Sequence, residues 1–302
     1  MEVFNVLFDP ILPVFAIMVL GFAMGRNGKA TIENARQVNN VAMTVFLPIL
    51  IFGLIANAPV RSFSIIPALI YVCVEAIIFT ASFVIAKQLL KRPADESVLL
   101  AFCSVFANNA FFVLPISVLL YGKDGVVPIT TIVTLDGTFT FAGAMIALQI
   151  IRLGQASPSQ AILGIVRMPV IQSVIFGLLI STTGFSIPAS VQTFINFNGA
   201  AAAPLALFAL GIVLSNTRFS LDAAILTFSG IKLLVFPAVI WLALETFATT
   251  DPQRGLFLFG AAGPSGTVAF SLALFFGVKT DAIAQIVIWT SILSLFSLAM
   301  LA

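Results

Sequence analysis

The sequence predicts an all-α membrane protein: ten transmembrane helices in two five-helix units of inverted topology, with the fourth and ninth helices broken where they cross. Three observations predict it. Hydrophobic residues fill 60% of the 302 positions and charged ones only 9%, with a mean hydropathy of +1.15, a balance that soluble domains do not reach. Two long apolar runs are interrupted halfway, in ANNAFFVLPI at 107–116 and GAAGPSGTVAF at 260–270. A single shift of 156 residues superposes the two interruptions.

At about 20 apolar residues per crossing, with cuts at clusters of charged residues, Gly or Pro, the helices fall at 4–25, 33–57, 64–88, 97–121, 126–151, 161–183, 188–214, 221–247, 254–277 and 281–301. Glu2 and Asp9 precede the first run without a basic segment, so this helix is expected to be retained rather than removed as a signal peptide. The stretch 152–160 contains Gly154, Ser157 and Pro158 and is the expected linker between a first unit at 1–151 and a second at 161–302. The 156-residue shift also carries Pro13 and Gly21 onto Pro169 and Gly177, Pro48 and Phe52 onto Pro204 and Phe208, and Asn108 and Asn109 onto Pro264 and Ser265. An odd number of helices per unit makes the second copy enter from the opposite face.

Lysine and arginine set the orientation. One side receives Arg26, Lys29, Arg36, Lys87, Lys91, Arg92, Arg152, Arg167, Arg218 and Lys279, the other only Arg61, Lys123 and Arg254. The richer side is expected to be cytoplasmic, which puts both termini outside the cytoplasm.

The two interruptions are where function is expected. Pro115 has no N–H and its ring clashes with the carbonyl four residues back, so the fourth helix should break or kink near 111–114. Irregular backbone survives at membrane depth only inside protein or beside a water-filled cavity, and Asn108 and Asn109 are suitable partners for the freed groups. Gly263, Pro264, Ser265, Gly266 and Thr267 form the matching interruption. Paired broken helices point to a carrier's binding site. A half-helix that starts at mid-membrane offers unpaired amides and a positive dipole end, suited to a carboxylate. The expected contacts are the amides around 112–115 and 266–268, with the side chains of Asn108, Asn109, Ser265 and Thr267; the plainer alternative is a pair of kinks that the asparagines repair. Asn39, Asn40, Asn196 and Asn198 are expected to make helix–helix hydrogen bonds.

Three ionisable residues, Glu75, Asp136 and Lys232, each lie about ten residues from a helix end, near 15 Å in depth at 1.5 Å per residue. An unpaired charge there costs several kcal/mol. One reading is a structural ion pair between Glu75 and Lys232, which are 157 apart. The other is that the acids carry coupling protons while Lys232 offers positive charge to an anionic substrate or to an acid. With no histidine in the chain, a proton relay has only carboxylates to use.

Other chemistries lack their residues. Cys73 and Cys103 lie in apolar runs and form no disulfide framework. A formal charge of +2 gives no nucleic-acid footprint. There is no phosphate-binding loop, no histidine for a metal site or a nucleophilic triad, and hence no expected enzymatic activity or cofactor. The 30 phenylalanines are dispersed, as in packing or lipid-facing surface.

The run Asn-Ala-Phe-Phe-Val-Leu-Pro-Ile at 109–116 resembles the auxin efflux carrier family and its bacterial malonate-transporter-like members: Asn109, Phe112, Pro115 and Ile116 match that family's fourth-helix pattern, and Pro264 with Phe276 and Gly277 occupies the ninth-helix places. Val113 or Leu114 replaces a usual glycine, Gly-Pro-Ser-Gly replaces a Pro-Thr or Pro-Pro run, and the long loop of the plant carriers is missing. The resemblance implies the fold shared with the bile-acid sodium symporters, in which helices three to five and eight to ten move against a scaffold of helices one, two, six and seven. It further implies a bacterial inner-membrane carrier, plausible as a homodimer, that binds a malonate-like mono- or dicarboxylate at the crossover. The substrate-binding candidates are Asn108, Asn109, Pro115, Pro264, Ser265, Gly266 and Thr267. Coupling to H+ through Glu75 or Asp136, coupling to Na+ as in the bile-acid symporters, and a channel or sensor on the same fold all stay open.

Overall fold

The computed structural model describes residues 16–154, 158–217 and 222–301. Residues 4–15 of the first expected helix, with Glu2, Asp9 and Pro13, lie outside the described residues, as do Arg218 and part of the expected linker. The described chain is all-helical. Its segments are α1 (Ala16–Arg26), α2 (Ile32–Ala56), α3 (Ile65–Leu89), α4 (Ala94–Val105), α5 (Leu114–Tyr121), α6 (Val126–Leu153), α7 (Pro158–Val166), α8 (Pro169–Thr183), α9 (Ala189–Leu214), α10 (Ala223–Phe247), α11 (Arg254–Ala261), α12 (Val268–Phe276) and α13 (Asp281–Leu301). Among the described residues, six of these (α2, α3, α6, α9, α10 and α13) are long and apolar enough to cross a membrane. Phe197 and Met300 on the outer surface are 81% and 88% exposed, an arrangement suited to lipid and costly in water.

Prolines dictate much of the local geometry. Three times a π turn precedes a proline by one residue: Ala42–Phe46 before Pro48, Asn109–Val113 before Pro115, and Ile231–Val235 before Pro237. A proline ring strikes the carbonyl four residues back, and a locally widened turn is one way a helix takes it in. The break expected at 111–114 therefore sits earlier. The chain leaves helix at Phe106–Asn108, and Pro115 stands in the first turn of α5, where its missing N–H is tolerated. The expected sixth helix is likewise divided. Pro169 opens α8, so the preceding chain ends as α7 at Val166. Helix α6 runs to Leu153 and α7 begins at Pro158, both bounds falling within the stretch 152–160.

Two groups of helices pack against each other. In the first, α1, α2, α8 and α9 touch through glycines. A Cβ on Gly21 would lie 2.2 Å from the Phe208 carbonyl oxygen, and one on Gly177 would lie 2.9 Å from the Ile55 Cβ and 3.4 Å from the Phe52 carbonyl oxygen. These are the residues superposed by the 156-residue shift, and each glycine faces the other pair's phenylalanine backbone. The second group brings α3 against α4 and α10, and α13 against α4, α10 and α12. Asn39 joins the groups by donating to the Ser271 carbonyl at 2.9 Å. Asn196 and Asn198 instead bond within α9, so they do not tie helices together. At the helix ends Arg92 pairs with Asp222 at 3.1 Å, and the Ser64 hydroxyl donates to Asp251.

Close backbone contact makes one glycine decisive. Gly211→Val would drive a Cβ, 2.0 Å from the Met18 carbonyl oxygen, into α1. The expected cost is about 1–3 kcal/mol, read as a lower unfolding midpoint in detergent. Gly255→Ala, in open space, should leave that midpoint unchanged or raise it.

Candidate functional site

The two interruptions meet. Ala107 and Ser265 form an isolated antiparallel bridge, in which the Asn108 amide donates to the Pro264 carbonyl at 2.8 Å and the Gly266 amide to the Phe106 carbonyl at 2.9 Å. The Ser265 amide donates to the Thr290 hydroxyl of α13 at 3.0 Å. Each unwound segment thus satisfies the other, as buried backbone in an apolar setting requires.

Small residues permit the approach. A Cβ on Gly260, Gly263 or Gly266 would lie 2.3 Å from Ile132, 2.4 Å from Val113 or 2.5 Å from the Phe106 ring. The half-helices sort around the crossing, with α4 and α12 sharing one buried apolar cluster while α5 and α11 share another.

Helix starts point at the crossing from both sides. The Asn108 carbonyl accepts from the Phe112 and Val113 amides, so the first amides of this turn, at Asn109, Ala110 and Phe111, precede any intrahelical acceptor. They replace the amides expected at 112–115. On the other segment the Gly266 amide is already bonded across the bridge, which leaves Thr267 and Val268 as the free starts of α12.

A cleft lies between this crossing and α2 and α9, in two compartments that share Leu47, Phe111 and Val268. One, of about 40 Å³, is lined by Asn108, Asn109, Asp136 and Gly137, with Leu50, Ile51 and Leu54 opposite. The other, of about 20 Å³, is lined by Thr267 and Ser271 with Ala202, Ala203 and Ala206. These volumes suit a water molecule rather than an organic ion, so the cleft is closed in this conformation. Pro115, Pro264, Ser265 and Gly266 line neither compartment. They shape the crossing from behind, with Ser265 fully buried.

Glu75, Asp136 and Lys232 are buried close to one another, within mutual electrostatic reach. Asp136 opens a π turn, Asp136–Phe141, and Lys232 lies in another, Ile231–Val235. Such bulges turn a side chain away from the regular helical face. The Asn109 side chain donates from Nδ2 to Asp136 at 3.2 Å, which joins the crossing to the charged group. Lys232 forms no ion pair with Glu75 in this conformation. Its Nζ donates to the Ala261 carbonyl at 2.9 Å, beside the second break, and stands 4.7 Å from the Phe236 ring centroid. Sequence reasoning left out Thr290 and the α2 leucines. Proline one residue beyond each of three π turns was the available signal for that geometry.

Stretches 6–156 and 155–302 each match one family profile, described as Membrane transport protein. The chain belongs to this family. It is a multi-pass membrane transporter of the auxin efflux carrier type. The chain is 26% identical over 295 residues to a protein of Rhizobium meliloti named "Putative malonate transporter", with 94% of this chain and 91% of the relative covered. It is also 21% identical over 301 residues to an uncharacterized transporter of Methanocaldococcus jannaschii, covering 97% and 96%. An uncharacterized transporter of Methanothermobacter thermautotrophicus is 24% identical over 295 residues, covering 96% and 95%.

The Thr290 hydroxyl can be tested for its share in the crossing. Thr290→Val removes the acceptor of a buried amide at constant shape and should cost about 1–3 kcal/mol, measured by chemical denaturation in micelles. Ser291→Ala on the same helix, whose hydroxyl bonds only its own helix, should cost less.

Proposed function

We propose that this auxin-efflux-type transporter is a secondary carrier that moves a small organic anion, a malonate-like mono- or dicarboxylate, across the bacterial inner membrane by alternating access. In this reading the chain is built of ten transmembrane helices in a five-plus-five inverted repeat, with both termini outside the cytoplasm. The reciprocal contacts of Gly21 with Phe208 and of Gly177 with Phe52 support the repeat. So do the two separate matches of one family profile to the two halves. Helices α1, α2, α8 and α9 serve as scaffold, and the group containing the crossing moves against it.

The observation that carries the function is the crossing itself: two backbone segments paired at Ala107 and Ser265, beside a cleft lined by Asn108, Asn109 and Asp136. Free amides at 109–111 and 267–268 supply hydrogen-bond donors and the positive ends of two short helices to a carboxylate. Asn108, Asn109 and Thr267 add side-chain contacts, while Pro115, Pro264, Ser265 and Gly266 hold the backbone in place. Opening the cleft requires α2 to withdraw from the crossing, which is the displacement alternating access needs.

Coupling to protons is the favoured variant, because the side-chain amide of Asn109 bonds Asp136 directly. A substrate carboxylate that draws this amide away leaves Asp136 without its donor, so anion binding and proton binding at Asp136 or Glu75 favour each other. Lys232 balances one of the two negative charges. A sodium-coupled variant would use the unpartnered side-chain oxygens of Asn109, Asp136 and Ser265 at the crossing.

Uptake into proteoliposomes should saturate and show countertransport of labelled malonate or a related carboxylate. Asn109→Ala and Pro115→Ala should each lower uptake at least about tenfold with normal folded yield; unaltered uptake in both rules out the site. For coupling, an imposed inward proton gradient should accelerate uptake in wild type and not in Asp136→Asn. A gradient effect that survives this substitution rejects the proton role.

A further inference from the structure

A second cavity, of about 280 Å³, lies between α3 and α6 and shares no lining residue with the cleft. Its walls are Val72, Phe79 and Phe139, with hydroxyls from Thr80 and Thr140. Glu75 lines it, only 2% exposed, and both carboxylate oxygens are buried without a hydrogen-bond partner, with Thr140 and Asp136 as polar neighbours. Ala76, Thr80, Gly143 and Phe139, the last 55% exposed, open the cavity sideways on the outer surface of the helix group. In a membrane that opening faces lipid.

The three buried ionisable groups differ in their partners. Fully ionised, Glu75, Asp136 and Lys232 set two negative charges against one positive. Asp136 has the Asn109 amide, and Lys232 is engaged with the Ala261 carbonyl and the Phe236 ring. Glu75 faces the cavity with both oxygens unpartnered, so its ionised form gains from a counter-charge placed there. A hard metal cation is a poor occupant, because it takes most of its ligands as oxygens. Besides Glu75 the walls offer two hydroxyls, and that of Thr80 already donates to the Ala76 carbonyl at 2.8 Å. Aromatic walls beside a carboxylate suit an organic cation, which gains from both the charge and the ring faces. A shift of 157 residues carries Val72, Phe139, Thr140 and Gly143 onto Ser229, Phe296, Ser297 and Met300, which line a groove of about 470 Å³ between α10 and α13 that has no carboxylate in its lining.

We propose that the cavity between α3 and α6 is a lateral binding site for a lipophilic organic ammonium, whose charge pairs with Glu75 and whose apolar groups lie against Phe79 and Phe139. The site goes beyond the carrier reading and does not depend on it.

Equilibrium dialysis of radiolabelled benzyltrimethylammonium against the purified full chain in micelles tests it. One saturable site per chain is expected, weakened at least about tenfold by Glu75→Gln, a loss of about 1.4 kcal/mol. Gly143→Leu should weaken binding as much by filling the cavity, since a Cβ at Gly143 meets nothing within 4 Å and the helix should fold normally, checked by size-exclusion chromatography. The neutral isostere neopentylbenzene should not compete at equal concentration. The absence of saturable binding, normal binding in either variant, or equal competition by the neutral isostere overturns the proposal. The assay involves no transport, so its failure and that of the carrier reading are separately visible.

Discussion

Backbone groups stripped of water must find partners within the protein, and here two broken helices find them in each other. The bonds from Asn108 to Pro264 and from Gly266 to Phe106 are few, yet the neighbouring structure is arranged to permit them. Glycines at 263 and 266 remove the side chains that would hold the segments apart, and Gly260 leaves room for Ile132 of α6. Thr290 takes the one amide of Ser265 that the bridge leaves over. Without that pairing, several polar groups would stand unbonded at membrane depth, each at a cost of several kcal/mol.

The π turns extend the same economy to the side chains. A proline one residue past the turn makes a regular helix unfavourable, and the widened turn that relieves the clash presents Asn109 and Lys232 toward the protein interior. Asp136 reaches the same place through a π turn that has no proline beyond it. An amide, an acid and an ammonium group are thereby gathered beside the crossing, the amide bonded to the acid and the ammonium to the Ala261 carbonyl. The segment whose backbone is repaired by the crossing also lines the cleft.

Much of this was legible in the residues. Composition fixes the membrane class, and the interrupted runs at 107–116 and 260–270 mark the two segments that meet. The 156-residue shift picks out Gly21, Phe52, Gly177 and Phe208, which prove to be in reciprocal contact. What was not legible depends on three-dimensional register. Pro115 signals a disruption without saying whether the chain kinks beside it or unwinds several residues earlier, because a π turn can absorb the ring. The spacing of Glu75 and Lys232 suggested a pair, but where Nζ ends is decided by the carbonyl of Ala261, freed at the end of α11, and no sequence pattern announces that acceptor. Proline at 169 divided an apolar run whose composition alone looked continuous.

The two unwound segments lie paired side by side, and a covalent link between them reads that pairing. Ala107 and Ser265 occupy a bridge of the non-hydrogen-bonded antiparallel kind, where Cα atoms approach to about 4.5 Å and a disulfide fits. The direct measurement is oxidative cross-linking of Ala107→Cys with Ser265→Cys, in the full chain with Cys73 and Cys103 replaced, read as disulfide yield by mass spectrometry. Near-complete bond formation, with little when Ser265→Cys is moved to Ser271→Cys, is the predicted result; thiols that stay free under the same oxidant would contradict the crossing.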